Sequence, residues 1–361
     1  MRIAVDDLKR FYAEFARCHG ANDAETECFA EGLLRADLRG HHTQGIGLLP
    51  YLDELFEAGT MAFGRQIKTV RESSATALLD ADGEAGHVAA HRAMEIAIDK
   101  ARNTGIGLVT VKRSSDCGMA ANYALQALDE GMIGIAMSTG PILVAPWGGR
   151  EAQFCTNPIA LAVPAGREEP IVIDMATSAN SMGGVVLAAR DGLKLDGLQV
   201  VDASGHYTDD PRRVILNPMD RESRMAGALL PAGPKGFGMV LMVELLSALL
   251  SGERDWTEAE VSDSARGRPA FYSQTCIAIS IRHFQDEGVF AQAADRMIQT
   301  LTAMTPAQGF EKVRLHGGGA RAREQAYRRD GVSVRDEEWT MAIERARRHG
   351  ININSFARVS A

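Results

Sequence analysis

The 361-residue chain is too long for one undivided hydrophobic core and predicts two or three substructures on a continuous backbone. Its 45% apolar and 24% charged residues, with 36 glycines, exclude extended disorder and suit a turn-rich mixed α/β protein. A formal charge of −8 gives no electrostatic reason to bind phosphate backbones or anionic lipid, so neither nucleic acid nor a membrane is expected as a partner.

From the amino terminus, Met1 to Asp7 shows no apolar stretch ahead of its acidic residues, which predicts no secretory signal and a cytoplasmic protein. Leu8, Phe11, Tyr12 and Phe15 recur at helical spacing. Asn22 and Glu25 then form a capping-box pattern ahead of Phe29, Leu33 and Leu34, so two helices open the chain. Gly40 to Gly47 is a glycine-punctuated polar stretch whose side chains can project into a cleft, and Leu48 to Phe56 is again helical. Thr76 to Leu79 predicts a strand, Asp80 to Gly83 a turn, and His87 to Ala101 a helix closed by Gly105.

Ile106 to Val111 and Ile133 to Met137 read as buried strands around a helix at Met119 to Leu128. Between Gly140 and Val200 the short apolar runs, Ala160 to Val163 and Ile171 to Ile173 among them, predict a mainly β substructure. Lys235 to Gly252 is helical; its apolar run, Met239 to Leu250, is broken by Glu244 and far short of the roughly 20 residues of a spanning helix. Cys276 to Ile281 makes a strand, Val289 to Thr302 a helix, and the Arg-rich tail from Arg321 to Gly350 holds one more helix from near Asp336.

Cys18, Cys28, Cys117, Cys155 and Cys276 are odd in number and widely spaced, which argues against a disulfide framework or a zinc knuckle. His87 and His91 share a helix face but lack a third ligand nearby, and no metal is assigned. Gly45-Ile-Gly47, Gly105-Ile-Gly107 and Gly236-Phe-Gly238 all lack the third glycine of a Rossmann fingerprint. Phosphate-loop, zincin and nucleophile-elbow patterns are missing as well.

Six segments in order, Arg35–Gly40, Gly105–Val111, Thr156–Ala160, Asp174–Thr177, Thr208–Pro211 and Gly233–Gly238, resemble the malate/L-lactate dehydrogenase superfamily over nearly the whole chain. The resemblance implies a mixed α+β fold with a non-Rossmann NAD(P)-binding domain built on a largely antiparallel sheet, plus helical N- and C-terminal regions. It places that domain at 121–284 and a helical, substrate-binding region at 1–120 with 285–361. It further implies a homodimer and metal-free hydride transfer with NAD or NADP.

For the cofactor, the resemblance points to Asp174, Met175, Ala176, Thr177, Lys235 and Gly236, with Ser138 and Thr139 as a further contact region. Glycine lets backbone approach phosphate, and lysine supplies a compact positive charge. A plain turn with a solvated lysine is the alternative for Lys235, and an ordinary strand-end turn for Ser138 and Thr139.

The substrate pocket departs from the family. Where the pattern has Ser-His-Gly and then an arginine, this chain has Thr43-Gln44-Gly45 and Leu48; where it has a second histidine, this chain has Asp116. Gln44 hydrogen-bonds but donates no proton, and Asp116 serves as acid/base, as a substrate contact or in a structural hydrogen bond. His42, two residues before Gln44, would share its direction in an extended stretch and supply the displaced imidazole, or else be a surface histidine. Losing an arginine and two histidines while gaining an aspartate inverts the pocket's charge preference. The expected activity is therefore hydride transfer between nicotinamide and a small polar hydroxy/oxo or imine substrate, cationic or uncharged. The alternative is an inactive family member acting as a binding or assembly protein.

Overall fold

In the computed structural model the described residues are 1–217, 225–257, 260, 270, 272–353 and 356. The paired helices at the start are α1 (Val5–Cys18) and α2 (Asp23–Leu38), and the Asn22–Glu25 capping box forms with both reciprocal bonds. Strand β1 (Arg2–Ile3) precedes them, and α3 (Leu49–Glu57) follows the glycine-punctuated loop.

A seven-stranded sheet forms the centre. Its strands are β2 (Lys68–Glu72), β3 (Thr76–Asp80), β4 (Ile106–Lys112), β5 (Ile133–Ser138), β6 (Ile159–Val163), β7 (Ile171–Met175) and β11 (Gln274–Ile279), in the order β2-β3-β4-β11-β5-β6-β7. Only β3 and β4 pair in parallel. The sheet is thus largely antiparallel, as expected, and it takes strands from both sides of residue 120. Helices α4 (Gly86–Thr104) and α5 (Ala121–Asp129) pack on it through small residues, Ala89, Ala90, Ala93 and Ala97 among them. The approach is so close that a Cβ at Gly107 would collide with the Ala97 carbonyl.

A smaller unit holds α6 (Met182–Arg190), the antiparallel strands β8 (Val200–Asp202), β9 (Tyr207–Thr208) and β10 (Gly227–Leu229), and α7 (Gly233–Glu244), which runs on as a π-helical turn over Leu245–Leu249. Val144, Val185, Val200, Leu229 and Val240 form its core. Helix α8 (Glu287–Thr302) follows β11, then α9 (Ala320–Asp330), β12 (Val332–Ser333) and α10 (Asp336–Arg348). Strand β12 pairs with β1, and Trp339, Ala342 and Ala346 close the core begun by Leu8, Phe11, Phe15 and Leu33.

The first turn of α4 carries a fully buried histidine, His87, with both ring nitrogens lacking a hydrogen-bond partner among the described residues. Burial pushes its pKa down to about 4. A lowered pKa gives stability that is present above the ordinary value near 6.5 and lost as pH falls through the folded value. His87→Leu is expected to remove that acid loss and to gain about 1 kcal/mol at pH 7 by deleting the unpaired nitrogens. Thermal melts at pH 7 and pH 4.5 test it: an unchanged acid slope would contradict the assignment.

Candidate active site

The loop after α2 is organised by Asp37, which is fully buried. Its carboxylate accepts from the Tyr12 hydroxyl, from the Ile46 N–H at 3.1 Å and from His42 Nδ1 at 2.8 Å. Only glycine fits at position 45, because a Cβ there would strike the Asp37 carboxylate. Wrapped around this acid, the chain forms two 3₁₀ turns, His42–Gln44 and Ile46–Leu48. The extended geometry expected for His42 and Gln44 is therefore corrected: at three residues per turn they point apart. His42 turns to Asp37, whose hydrogen bond and charge raise the imidazole pKa against the opposing effect of burial.

Gln44 turns the other way, into a cleft of about 280 Å³ that Leu48, Tyr51 and Asp116 also line. Among the described residues its amide has no hydrogen-bond partner. Asp116 sits on the loop after β4 and accepts from the Gly118 N–H at 2.8 Å, which orients the carboxylate. Tyr51 and Tyr272 hydrogen-bond to each other beside it. Burial, with the Asp116 charge and the Tyr51 hydroxyl beside it, holds the Tyr272 phenol protonated.

Two charged lining residues escaped the sequence reading. Glu338, in the first turn of α10, is buried, and its Oε2 has no partner among the described residues. Burial pushes its carboxyl pKa up, and the Arg190 charge from α6 works against that shift. In sequence Glu338 looks like an acidic helix start; the one available signal was its place beside Trp339 on the buried side of an amphipathic helix. A larger groove of about 780 Å³ lies between α2, α4 and α5, but none of the expected site residues reaches it. Convergence of chemistry, not size, selects the cleft.

The expected cofactor segments divide. Thr177, just past β7, donates its N–H to the Thr156 carbonyl at 2.9 Å, and Thr156 lines the cleft. The Thr177 carbonyl accepts from the Ala232 N–H at 3.0 Å, and a Cβ at Gly236 would lie 3.1 Å from that oxygen. The end of β7 and the start of α7 thus touch and reach the cleft wall through Thr156, while Asp174–Thr177, Lys235 and Gly236 do not line the cleft. Lys235 is exposed in the first turn of α7, with no ion pair among the described residues. Met175 and Ala176 are half-buried between these points.

Other members of the set face elsewhere. Asp174 accepts from the Ala121 N–H at 3.3 Å, and burial lifts its carboxyl pKa to about 6 against the bond from Ala121 and the charge of Arg39. Ser138 donates to the Thr139 carbonyl at 2.9 Å, and Thr139 Oγ1 lies 2.8 Å from Ser273 Oγ. Both hydroxyls are buried and engaged within the protein, and neither lines the cleft.

An anionic dinucleotide fits what remains. The N-terminus of α7 has no side-chain cap; the Ala232, Gly233 and Gly236 N–H groups are taken by backbone carbonyls and Pro234 has none, so positive potential comes from the helix dipole and the Lys235 ammonium. A Cβ at Gly233 or Gly238 would meet no atom within 4 Å, which leaves open approaches on both sides of the lysine.

Comparison with known proteins is consistent along the chain. A sequence model of the malate/L-lactate dehydrogenase family matches residues 3–343. A malate dehydrogenase of Pyrococcus abyssi is 35% identical over 325 residues, covering 88% of this chain and 86% of its own. An L-sulfolactate dehydrogenase of Methanocaldococcus jannaschii is 31% identical, with 98% and 97% covered. The crystal structure of a malate dehydrogenase from Entamoeba histolytica superposes with a TM-score of 0.88 at 25% identity, over 98% of this chain and 99% of that one.

Proposed function

We infer the reaction from the premise that this chain belongs to the malate/L-lactate dehydrogenase family. It is a nicotinamide-dependent oxidoreductase that moves hydride between NAD or NADP and a small polar hydroxy/oxo or imine substrate. That substrate is uncharged or cationic at the position where a 2-oxo acid would place its carboxylate. The observation that carries this reading is the meeting of Gln44, Leu48 and Asp116 on one cleft. An apolar Leu48 cannot clamp a carboxylate. The cleft's cation, Arg190, is offset by Glu338, so Asp116 leaves the wall acidic.

When bound, the nicotinamide supplies or takes up the hydride. Gln44 donates an amide N–H to the substrate's oxygen or nitrogen and polarises its bond to carbon without giving up a proton. Asp116, held by the Gly118 N–H, takes the substrate's proton on oxidation and returns it on reduction. Leu48, Met182 and Val186 exclude water around the reacting carbon.

The test is to titrate NADH and NADPH by fluorescence and to screen oxo acids, cyclic imines and amino-bearing ketones for turnover. Turnover on imines or amino ketones is expected; preference for simple oxo acids would overturn the charge argument. Lys235→Ala is expected to weaken dinucleotide binding about fivefold, the ~1 kcal/mol of an exposed ion pair, with a flatter salt dependence. Dinucleotide binding with no turnover on any class would favour a binding or assembly protein, the reading that the two replaced imidazoles support.

The partner we propose is a second copy of the chain. Supporting it, Leu241, Leu245 and Leu249 repeat every four residues along α7 and its π-helical turn and are 37%, 52% and 45% exposed. Leu245→Arg is expected to convert a dimer to a monomer in sedimentation velocity; unchanged sedimentation would place any interface elsewhere. No helix among the described residues is long and apolar enough to cross a membrane. All five cysteines are free thiols, which supports the cytoplasm as the working compartment.

A further inference from the structure

Away from the cleft, three side chains from distant parts of the chain converge. His19 ends α1, His349 ends α10, and Asp53 lies in α3 with no exposed surface. Asp53 Oδ1 is 2.6 Å from His349 Nε2 and 3.2 Å from His19 Nε2. The three donor atoms all lie within 4.8 Å of one another.

Hydrogen bonding does not account for the whole arrangement. The side chain of His19 is 10% exposed, and its Nε2, 3.2 Å from Asp53 Oδ1, makes no well-aligned hydrogen bond to that oxygen. Its orientation is set by packing: the ring stacks on Phe56 at 4.2 Å and meets His349 edge-on at 4.5 Å. A buried nitrogen whose one close neighbour is poorly aligned keeps part of its desolvation cost, which a ligand would remove.

Charge favours a cation there. The C-terminal ends of two helices, α1 and α10, meet at the cluster, and both present partial negative charge. Asp53, Glu54 and Glu57 share one guanidinium, Arg345, which is 3.5 Å from Asp53 Oδ2, 2.6 Å from Glu54 and 3.8 Å from Glu57. Three carboxylates gathered around one guanidinium make this region rich in acidic groups. Arg345 also occupies the far oxygen of Asp53, so Oδ1 alone faces the imidazoles.

We propose that His19 Nε2, Asp53 Oδ1 and His349 Nε2 bind one divalent transition-metal ion of the zinc type, with water as fourth ligand, fastening the amino-terminal helices to α10. Two neutral imidazoles and one carboxylate form a donor set suited to zinc. Zinc bonds of about 2.0–2.1 Å arranged as a tetrahedron separate ligand atoms by roughly 3.3 Å. His19 already stands at that separation from Asp53, and His349 needs to withdraw by roughly 0.7 Å. A divalent ion would place positive charge among these carboxylates and helix ends.

The full-length chain, treated with chelator and then dialysed, is titrated with Co²⁺ while its visible ligand-field absorption is followed. One equivalent per chain is expected, displaced by Zn²⁺, and the melting temperature should rise with Zn²⁺ concentration as for a ligand of the native state alone. His19→Asn and His349→Asn should each lower the affinity more than about a hundredfold, beyond what removing an outer partner costs. Circular dichroism verifies that the variants are folded. A wild-type chain with no saturable cobalt band overturns the proposal, and so does unchanged cobalt binding in folded His19→Asn or His349→Asn. Stabilisation on acidification without any metal uptake would identify an imidazolium pair instead, and would equally overturn it.

Discussion

Asp116→Asn is expected to lower kcat by a factor of about 10² to 10⁴, the span over which a positioned acid or base accelerates proton transfer. Asparagine keeps the shape of the side chain and still accepts the Gly118 N–H, so the loop should stay in place. What disappears is the negative charge and the ability to carry a proton. Dinucleotide affinity should therefore persist while turnover falls, and the acid limb of the pH–rate profile should vanish with it. Steady-state kinetics on the best substrate of the screen measure this. An unaltered kcat would remove Asp116 from the chemistry and leave it a structural acceptor.

Asp37→Ala should cost about 3–5 kcal/mol of stability, the usual range when one member of a buried charged network is deleted. Three groups lose their common acceptor: the Tyr12 hydroxyl, His42 and the Ile46 N–H. Because those bonds hold the two 3₁₀ turns, Gln44 should lose its direction as well. The variant should show weaker substrate binding under conditions where it is still folded. Denaturant midpoints followed by fluorescence read the first effect, and KM the second. A loss under about 1 kcal/mol would mean that the loop is held by its apolar residues instead.

The parts of the fold visible in sequence are those whose cause is local. The Asn22–Glu25 box, the left-handed Gly105 that ends α4 and the short β-branched runs of β4 and β5 each carry their signal within a few residues. Helix α6 lies within the stretch expected to be mainly β: Gly183-Gly184 and Val185-Val186 suit helices poorly, and the Ser181 cap and burial of Val185 and Val186 override that preference. Strand β2 is exposed along its whole length and shows no alternation to detect. Helix α9 is polar nearly all round and was merged into the tail.

At the site, Gln44, Leu48 and Asp116 stood out because they break a motif. Glu338 and Arg190 reach the same cleft from helices nearly 150 residues apart in sequence, and only packing brings them there. The extended loop expected around His42 does not form, because Asp37 gathers His42 and the Ile46 N–H into two tight turns. Ser138 and Thr139 matched a family region, yet their hydroxyls are taken by neighbours that no sequence pattern announces.

The pairing of Arg2–Ile3 with Val332–Ser333 sets the order of events during synthesis. Trp339, which covers Phe11 at 5.2 Å between ring centroids, leaves the ribosome 328 residues after it. Over that stretch of translation the hairpin of α1 and α2 waits with its aromatic side wet. Holding chaperones should find their handle on the nascent polypeptide there, and maturation should be governed by the arrival of α10 rather than by the central sheet.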